Sequence, residues 1–486
     1  APGGTATPPL SEAACRAIVR YLAQVAHGEG YTAVKLWSSW SGHVRWARNQ
    51  ISTSGEVQTN YVQLLRDLRG AGHGKIMIND TSAAALVAAA RRAERLAQQE
   101  AEQPQWDTAS WFALEPLEAG IPPLFDEATF GIDANRRAEA AITLAASAAA
   151  AGVLSAGYIE TAAHSVAILD TLGHVRYVPY TMASYSVTVR DPMGQGSGWA
   201  GVDWPAWRKI DAPTVSQQAL DKCLASRHPV TVEPGRYTAI LEPQAVCDFV
   251  GQLLFGGWAD SLVKDCNIAT CGESETYPFY QSGWTMTEPG LSQLGEQIVD
   301  RRITISVDPR DPELSILPVT PYEYGWIDND VYHPTTWIKE GVLTALAYRH
   351  GSNYGNHATL GVGVPNPGAF RMSGGTTSMA EMIASTTRGL LVTRLDRVDG
   401  VVRKSLLVSG YTRDGLWLIE NGKISKPIKN LRFVESILFA LNNIELLGVP
   451  QRVYHPVTGR LAIPQPAIVP SMKIRDFSFT ALADAV

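Results

Sequence analysis

From Gly157 the sequence GYIETAAHSVAILDTLGHVRYVPYTMASYSVTVRD is β-rich and alternates apolar with polar residues. Alternation with period two marks strands that bury one face, so this stretch must form sheet. A glycine-containing turn at Leu172-Gly173 divides it, and a meander of three or four strands is expected. Before it the pattern is different. Ser11–His27 places Ala14, Ile18, Tyr21, Leu22 and Val25 at helical spacing. TAVKLWSSWSGHVRWARNQI reads as two strands joined near Ser41-Gly42, and GKIMIND as another strand. Asp80, Thr81 or Ser82 then caps a long Ala-rich helix. A Gln/Glu-rich linker covers Gln98–Gln105, a second Ala-rich helix Asn135–Gly152, and a short helix Ser216–Ser226.

At 486 residues the chain exceeds one compact core, since domains run to about 100–200 residues. The expected class is α+β with two domains. Residues 1–10 form a tail and 11–230 an N-terminal α/β-layered domain with long Ala-rich helices and the meander. Residues 231–486 form a β-rich C-terminal domain. The net charge of −6 gives nucleic acid no basic face to bind. The most apolar stretch, from Ala138, is alanine with interspersed Thr143, Ser147 and Gly152, which suits a packed helix better than a membrane span. The start lacks the basic and apolar regions of a secretory signal. Five cysteines without a CxxC motif point to reduced thiols and a cytoplasmic location.

The usual catalytic patterns are missing. No His is followed by Glu, so no HExxH zinc helix exists. His27-Gly28-Glu29 lacks the P-C-x-x-C that would make it a deaminase motif. His350 and His357 lie in a Gly/Asn-rich loop, and Cys266 and Cys271 have no nearby His to complete a metal site. There is no GxSxG elbow, and Ser261–Lys264 matches SxxK without its companion motifs. MGQGSGWAG, Met193–Gly201, reads as a loop, because phosphate cradling needs a strand–loop–helix setting. Cys247, among Val246, Phe249 and Val250 and beside Asp248, reads as a buried inert thiol.

The last third is more distinctive. LWLIE and KISKPIKN read as a hairpin turning at Asn421-Gly422. Val434–Leu447 reads as a helix with Ile437, Leu438, Leu441 and Ile444 on one stripe. The pattern from Ser409 to Gly448, IENGKI followed by P-x-KNLRF and an AL-x-NIE segment, resembles the TldD/PmbA family of metallopeptidases. VEPGRYTAILEPQAV and PGAFRMSGGTTSMAEMIASTTRGLLVT are similar to two further segments of that family.

The resemblance implies a heterodimer in which a TldD-like subunit carries an HExxxH helix and a later Cys as zinc ligands. A TldE- or PmbA-like subunit lacks them. Here the helix after Leu241-Glu242-Pro243, residues 243–257, puts Gly251, Gln252 and Gly256 where the His, Glu and His would stand. The Cys position falls near Thr458-Gly459. The chain is therefore identified as TldE-like, with no catalytic residue and no metal of its own, zinc being expected in the partner. The implied partners are the zinc-bearing subunit and an unfolded peptide, which would lie extended against an exposed strand. The alternative is a stand-alone, homodimeric binding scaffold without proteolysis. Arg413, Asp414, Asn430, Arg432 and Phe433 flank the hairpin and are the candidate peptide or interface residues. Arg413 and Arg432 are suited either to a peptide carbonyl or partner carboxylate, or to capping local structure. Trp199, Trp204 and Trp207 are suited to an interface anchor or to core packing. The loops Gly194–Gly201 and Gly361–Gly375 are candidate cleft edges.

Overall fold

The computed structural model describes residues 8–25, 30–68, 72–100, 117–253, 286–288, 291–293, 295–319, 331–348, 363–365, 368–402, 405–454 and 465–483. The expectations for His27–Glu29, the Gln98–Gln105 linker beyond Glu100, Gly256 and the rest of the 243–257 helix beyond Leu253, Ser261–Lys264, Cys266, Cys271, His350, His357, residues 361–362 and 366–367 of the Gly361–Gly375 loop, and Thr458-Gly459 fall outside them.

The chain opens with helix α1 (Glu12–Val25), followed by β1 (Tyr31–Ala47), β2 (Gln50–Asp67), β3 (His73–Ile78), α2 (Ala83–Glu100) and α3 (Ala134–Ala150). Then come β4 (Leu154–Asp170), β5 (Val175–Arg190), β6 (Ser197–Trp204) and α4 (Ala212–Ala225). The six strands form one antiparallel sheet in the order β3-β2-β1-β4-β5-β6. Its outer face is covered by helices, and the glycines show how closely. A Cβ on Gly74 of β3 would stand 1.8 Å from the Ala93 carbonyl of α2, and one on Gly198 of β6 would stand 2.1 Å from the Ala219 carbonyl of α4. Between them α3 is pinned by Arg137. This fully buried side chain donates to the Ile132 carbonyl (2.7 Å), Thr161 Oγ1 (3.2 Å) and Glu56 Oε1 (2.8 Å).

The stretch from Gly157 to Asp191 forms two strands, β4 and β5, turning through residues 171–174, rather than the three or four expected, because each strand runs unbroken for 16–17 residues. β6, beyond that stretch, continues the antiparallel order. Two further expectations need correction here. Ser41-Gly42 is no turn: β1 runs through it, with Gly42 packed directly against the Arg137 guanidinium. The reversal comes at Arg48-Asn49, both in the left-handed region (φ 52° and 62°), as a two-residue hairpin turn requires. Met193–Gly201 is a loop only as far as Gly196. From Ser197 it is β6, held against α4 at Gly198.

After Ala225 the architecture changes. A nine-stranded sheet is built from β7 (Gly235–Leu241), β8 (Arg388–Val392), β9 (Leu395–Val402), β10 (Leu407–Thr412), β11 (Leu416–Glu420) and β12 (Lys423–Pro427). It is completed by β13 (Leu431–Ser436), β14 (Ile444–Leu447) and β15 (Met472–Leu482). The order is β9-β10-β13-β15-β7-β8-β11-β12, with β14 also on β15. The short helix α5 (Pro243–Val250), continued by a 3-10 turn over Gly251–Leu253, follows β7. A second six-stranded sheet includes Phe370–Met372, Ala467–Val469 and Gln451–Val453. The β11–β12 hairpin turns at Asn421-Gly422 with positive φ at both residues, as its sequence requires. Val434–Leu447 is not one helix. Leu431–Ser436 pairs with β10 and β15, only Ile437–Asn442 is helical, and Ile444–Leu447 pairs with β15. Alternation of Leu431, Phe433 and Glu435 into the interior outweighs the helical spacing downstream.

Candidate functional site

Helix α5 starts at Pro243, whose missing N–H suits a first turn, and its Ala245, Val246, Phe249 and Val250 are buried in the core. Phe249 packs edge-on to Phe433 and Phe477. Three groups on the helix have chemistry. Burial holds the Cys247 thiol pKa well above its ordinary value, with Asp248 and Asp203 adding to the rise. Asp248 is raised to about 6, by burial first, against the opposing pull of Arg394. Its Oδ2 accepts from the Leu395 N–H (2.9 Å) and its Oδ1 from Gln244 Nε2 (2.9 Å). Gln244 Nε2 also reaches the Tyr454 carbonyl at 2.9 Å.

Tyr454 carries the site across to the first sheet. Its ring meets Trp199 of β6 edge-on at 5.7 Å, and Ser186 of β5 hydrogen-bonds its phenol. Arg394 lies over the Trp199 ring at 4.4 Å and donates to Asp414 Oδ2 at 3.0 Å. Arg452 covers Trp204 at 4.3 Å and pairs with Asp203 at 3.2 Å, both side chains being buried. Two carboxylate oxygens in this seam, Asp203 Oδ1 and Asp414 Oδ1, are buried with no hydrogen-bond partner. Farther along the same face, Ser41, His43, Tyr158 and Glu160 are half-buried. His43 stacks on Tyr158 at 5.9 Å, and burial raises Glu160 despite a hydrogen bond from Ser41.

The hairpin residues divide among roles. Arg413 forms an ion pair with Asp396, and Asp414 is buried at a positive φ of 55° beneath Arg394. Asn430 Oδ1 accepts from Thr412 Oγ1 at 3.1 Å, and its carbonyl accepts from the Ala483 N–H. Phe433 is wholly buried in the aromatic core, whereas Arg432 is exposed on β13. The structure brings Asp414 into the seam with Arg413 beside it, 3.9 Å from the same Oδ2 that Arg394 donates to, and places the other three elsewhere. The three tryptophans separate too. Trp199 meets Arg394 and Tyr454, Trp204 meets Arg452 and Lys209, and Trp207 lines a groove of about 420 Å³ between α3 and α4. Sequence reasoning missed Asp203, Arg394, Arg452, Tyr454, Tyr158 and Glu160, which meet only through long-range packing. Only the tryptophan-rich stretch beside Asp203 hinted at them.

A peptidase zinc needs imidazole, thiolate or free carboxylate ligands facing an open coordination position. The donors on α5 do not fit that need. The thiol is buried and held protonated, and both Asp248 oxygens are committed. Among the described residues no three His, Cys, Asp or Glu side chains come together as a metal-binding group. Among the described residues, too, no helix is long and apolar enough to cross a membrane.

Residues 234–481 match the family described as the PmbA/TldA metallopeptidase C-terminal domain. Among curated proteins none matches the sequence. The fold is similar to that of TldE from Thermococcus kodakarensis, at 13% identity over 96% of this chain and 99% of that one, with a TM-score of 0.73. It is similar also to a candidate modulator of a DNA gyrase from Thermotoga maritima (14% identity, 95% and 98% covered, TM-score 0.70). A further candidate DNA gyrase modulator, from Bacteroides thetaiotaomicron, is alike at 15% identity, 97% and 100% covered and a TM-score of 0.71. These likenesses carry the two-domain α+β fold across nearly the whole chain.

Proposed function

This chain belongs to the PmbA/TldD family of metallopeptidases, and from that premise we propose that it is a TldE-like subunit without a catalytic centre of its own. Its role is to complete a heterodimeric zinc peptidase that acts on unfolded peptides. The zinc belongs to a TldD-like partner. The observation that carries the reading is the state of α5. The helix ends at Val250, the first two implied ligand positions after it are Gly251 and Gln252 in a 3-10 turn, and the polar groups on the helix itself, Gln244 and Asp248, are spent on tying it to Leu395 and Tyr454. Those bonds make the helix a structural joint between the nine-stranded sheet and the end of the second six-stranded sheet. The half-buried surface of Ser41, His43, Tyr158 and Glu160 beside that joint is this subunit's share of the cleft wall. An extended peptide satisfied by backbone hydrogen bonds would be held there with little sequence preference.

The test is reconstitution. The chain, a TldD-like protein bearing HExxxH, and an unfolded peptide are assayed separately and together for cleavage. Cleavage should require both chains and should survive Cys247→Ala in this one. Cleavage by this chain alone would refute the assignment.

A further inference from the structure

Glu160 is a half-buried carboxylate without a counter-ion. Burial acts against its charge, the Ser41 hydroxyl offsets that in part, and among the described residues no cation does so. Buried charges are ordinarily paired, because taking an ion out of water costs more than one hydroxyl returns. A second carboxylate stands in the same row of the sheet. Glu160 pairs with Ser184 of β5, and Ser184 with Asp203 of β6, so the three side chains leave one face, the outer two about 10 Å apart at Cα. Asp203 is 5% exposed. Arg452 holds its Oδ2, and its Oδ1 is buried with no hydrogen-bond partner. The two carboxylates converge on Tyr454. Its phenol pKa is raised by burial first and then by Asp203 and Glu160 together, while Ser186 hydrogen-bonds it. Ser186 in turn pairs with Tyr158 in the next row of the same face.

We propose that Glu160 and Asp203, together with the Tyr454 phenol, hold an ammonium group of the bound peptide, either its N-terminus or a lysine side chain. An ammonium brings one compact charge and three donors that point apart, enough for Glu160, Asp203 Oδ1 and the phenol oxygen. A guanidinium spreads its donors in one plane and matches acceptors on separate strands less well. A metal ion fits less well too, since among the described residues no three His, Cys, Asp or Glu side chains come together as a ligand set. The inference rests on this surface being cleft wall, and it adds a preference that backbone pairing alone does not give.

The test uses the full chain, alone and mixed with a TldD-like protein whose zinc has been removed by a chelator, so that binding is read without cleavage. One unfolded peptide with a C-terminal fluorophore is made in four forms, with a free or acetylated N-terminus and with one lysine or norleucine at a central position. Fluorescence anisotropy at pH 7.5 gives the dissociation constants. The form lacking both ammonium groups should bind at least tenfold more weakly than the form with both. Glu160→Gln should weaken the doubly charged form to about that level and leave the uncharged form unchanged. The singly charged form that keeps its affinity names the source of the ammonium. The melting temperature of Glu160→Gln should equal or exceed the parent's, because a carboxylate without a counter-ion is gone. Equal losses for charged and uncharged peptides would mark a structural effect and overturn the proposal. So would unchanged affinities in the variant, or no binding in either state. Restoring zinc to the mixture tests the subunit reading separately: absent cleavage refutes that reading, whereas the ratio between charged and uncharged peptides alone decides the ammonium site.

Discussion

His164 on β4 gives the sharpest handle on stability. Its ring is 2% exposed, stacked on Tyr180 at 4.7 Å and tilted against Trp37 at 5.6 Å, and neither ring nitrogen has a hydrogen-bond partner. Burial alone lowers its pKa from 6.5 to about 3. The folded protein therefore holds it neutral, while the unfolded chain takes up a proton once the pH drops below about 6.5. Stability from this residue is complete above that pH and is lost as pH falls toward 3. At 1.36 kcal/mol per unit the full loss is about 5 kcal/mol, and about 2 kcal/mol is gone by pH 5. His164→Phe fills the same aromatic slot and cannot titrate. Urea unfolding of parent and variant at pH 7.5 and pH 5 measures the difference directly. The variant should be at least as stable at pH 7.5, because two unpaired nitrogens are gone. Its advantage should grow by about 2 kcal/mol at pH 5. Parallel pH dependences would show that His164 is solvated in the folded protein and would refute the reasoning.

Asp248 has the opposite sign. Its folded pKa of about 6 exceeds the ordinary 3.8, so its contribution is complete below 3.8 and lost as pH rises through 6. Asp248→Asn should therefore gain on the parent by up to about 3 kcal/mol between pH 3.5 and 7.5 in urea titrations. Gly74→Ala drives a methyl into the Ala93 carbonyl and should cost roughly 3 kcal/mol by the same assay, with α2 the first helix to lose amide protection. Arg137→Ala strands Thr161 and the Ile132 carbonyl. Because Glu56 is partly solvated, the expected cost is on the order of 2–3 kcal/mol, read as a lowered denaturation midpoint.

The sequence announces those elements whose signals are local. Asn421-Gly422 can only be a tight hairpin turn, and the Ala-rich runs ending at Glu100 and Ala150 have no competing pattern. Where two periods coexist, long-range pairing decides. Residues 431–447 contain a helical stripe and a strand alternation, and β10 and β15 select the strand at both ends. Gly42 resembles a turn residue in isolation, but it is glycine because Arg137 fills the space its side chain would need. The residue types at Gly251 and Gln252, just past α5, motivate the proposal that the zinc lies in a partner and were legible in the sequence. The seam of Asp203, Arg394, Arg452 and Tyr454 was not, because its members lie up to 251 residues apart between Asp203 and Tyr454 and meet only when the two sheets close on each other.

The central claim concerns where the zinc resides. The tagged chain, isolated from its own host under native conditions, can be analysed by mass spectrometry and for metal content both as eluted and after separation from anything bound to it. The account predicts a co-eluting TldD-like chain bearing HExxxH, about one zinc per pair, and no zinc on this chain once separated. Stoichiometric zinc retained by this chain alone would contradict it.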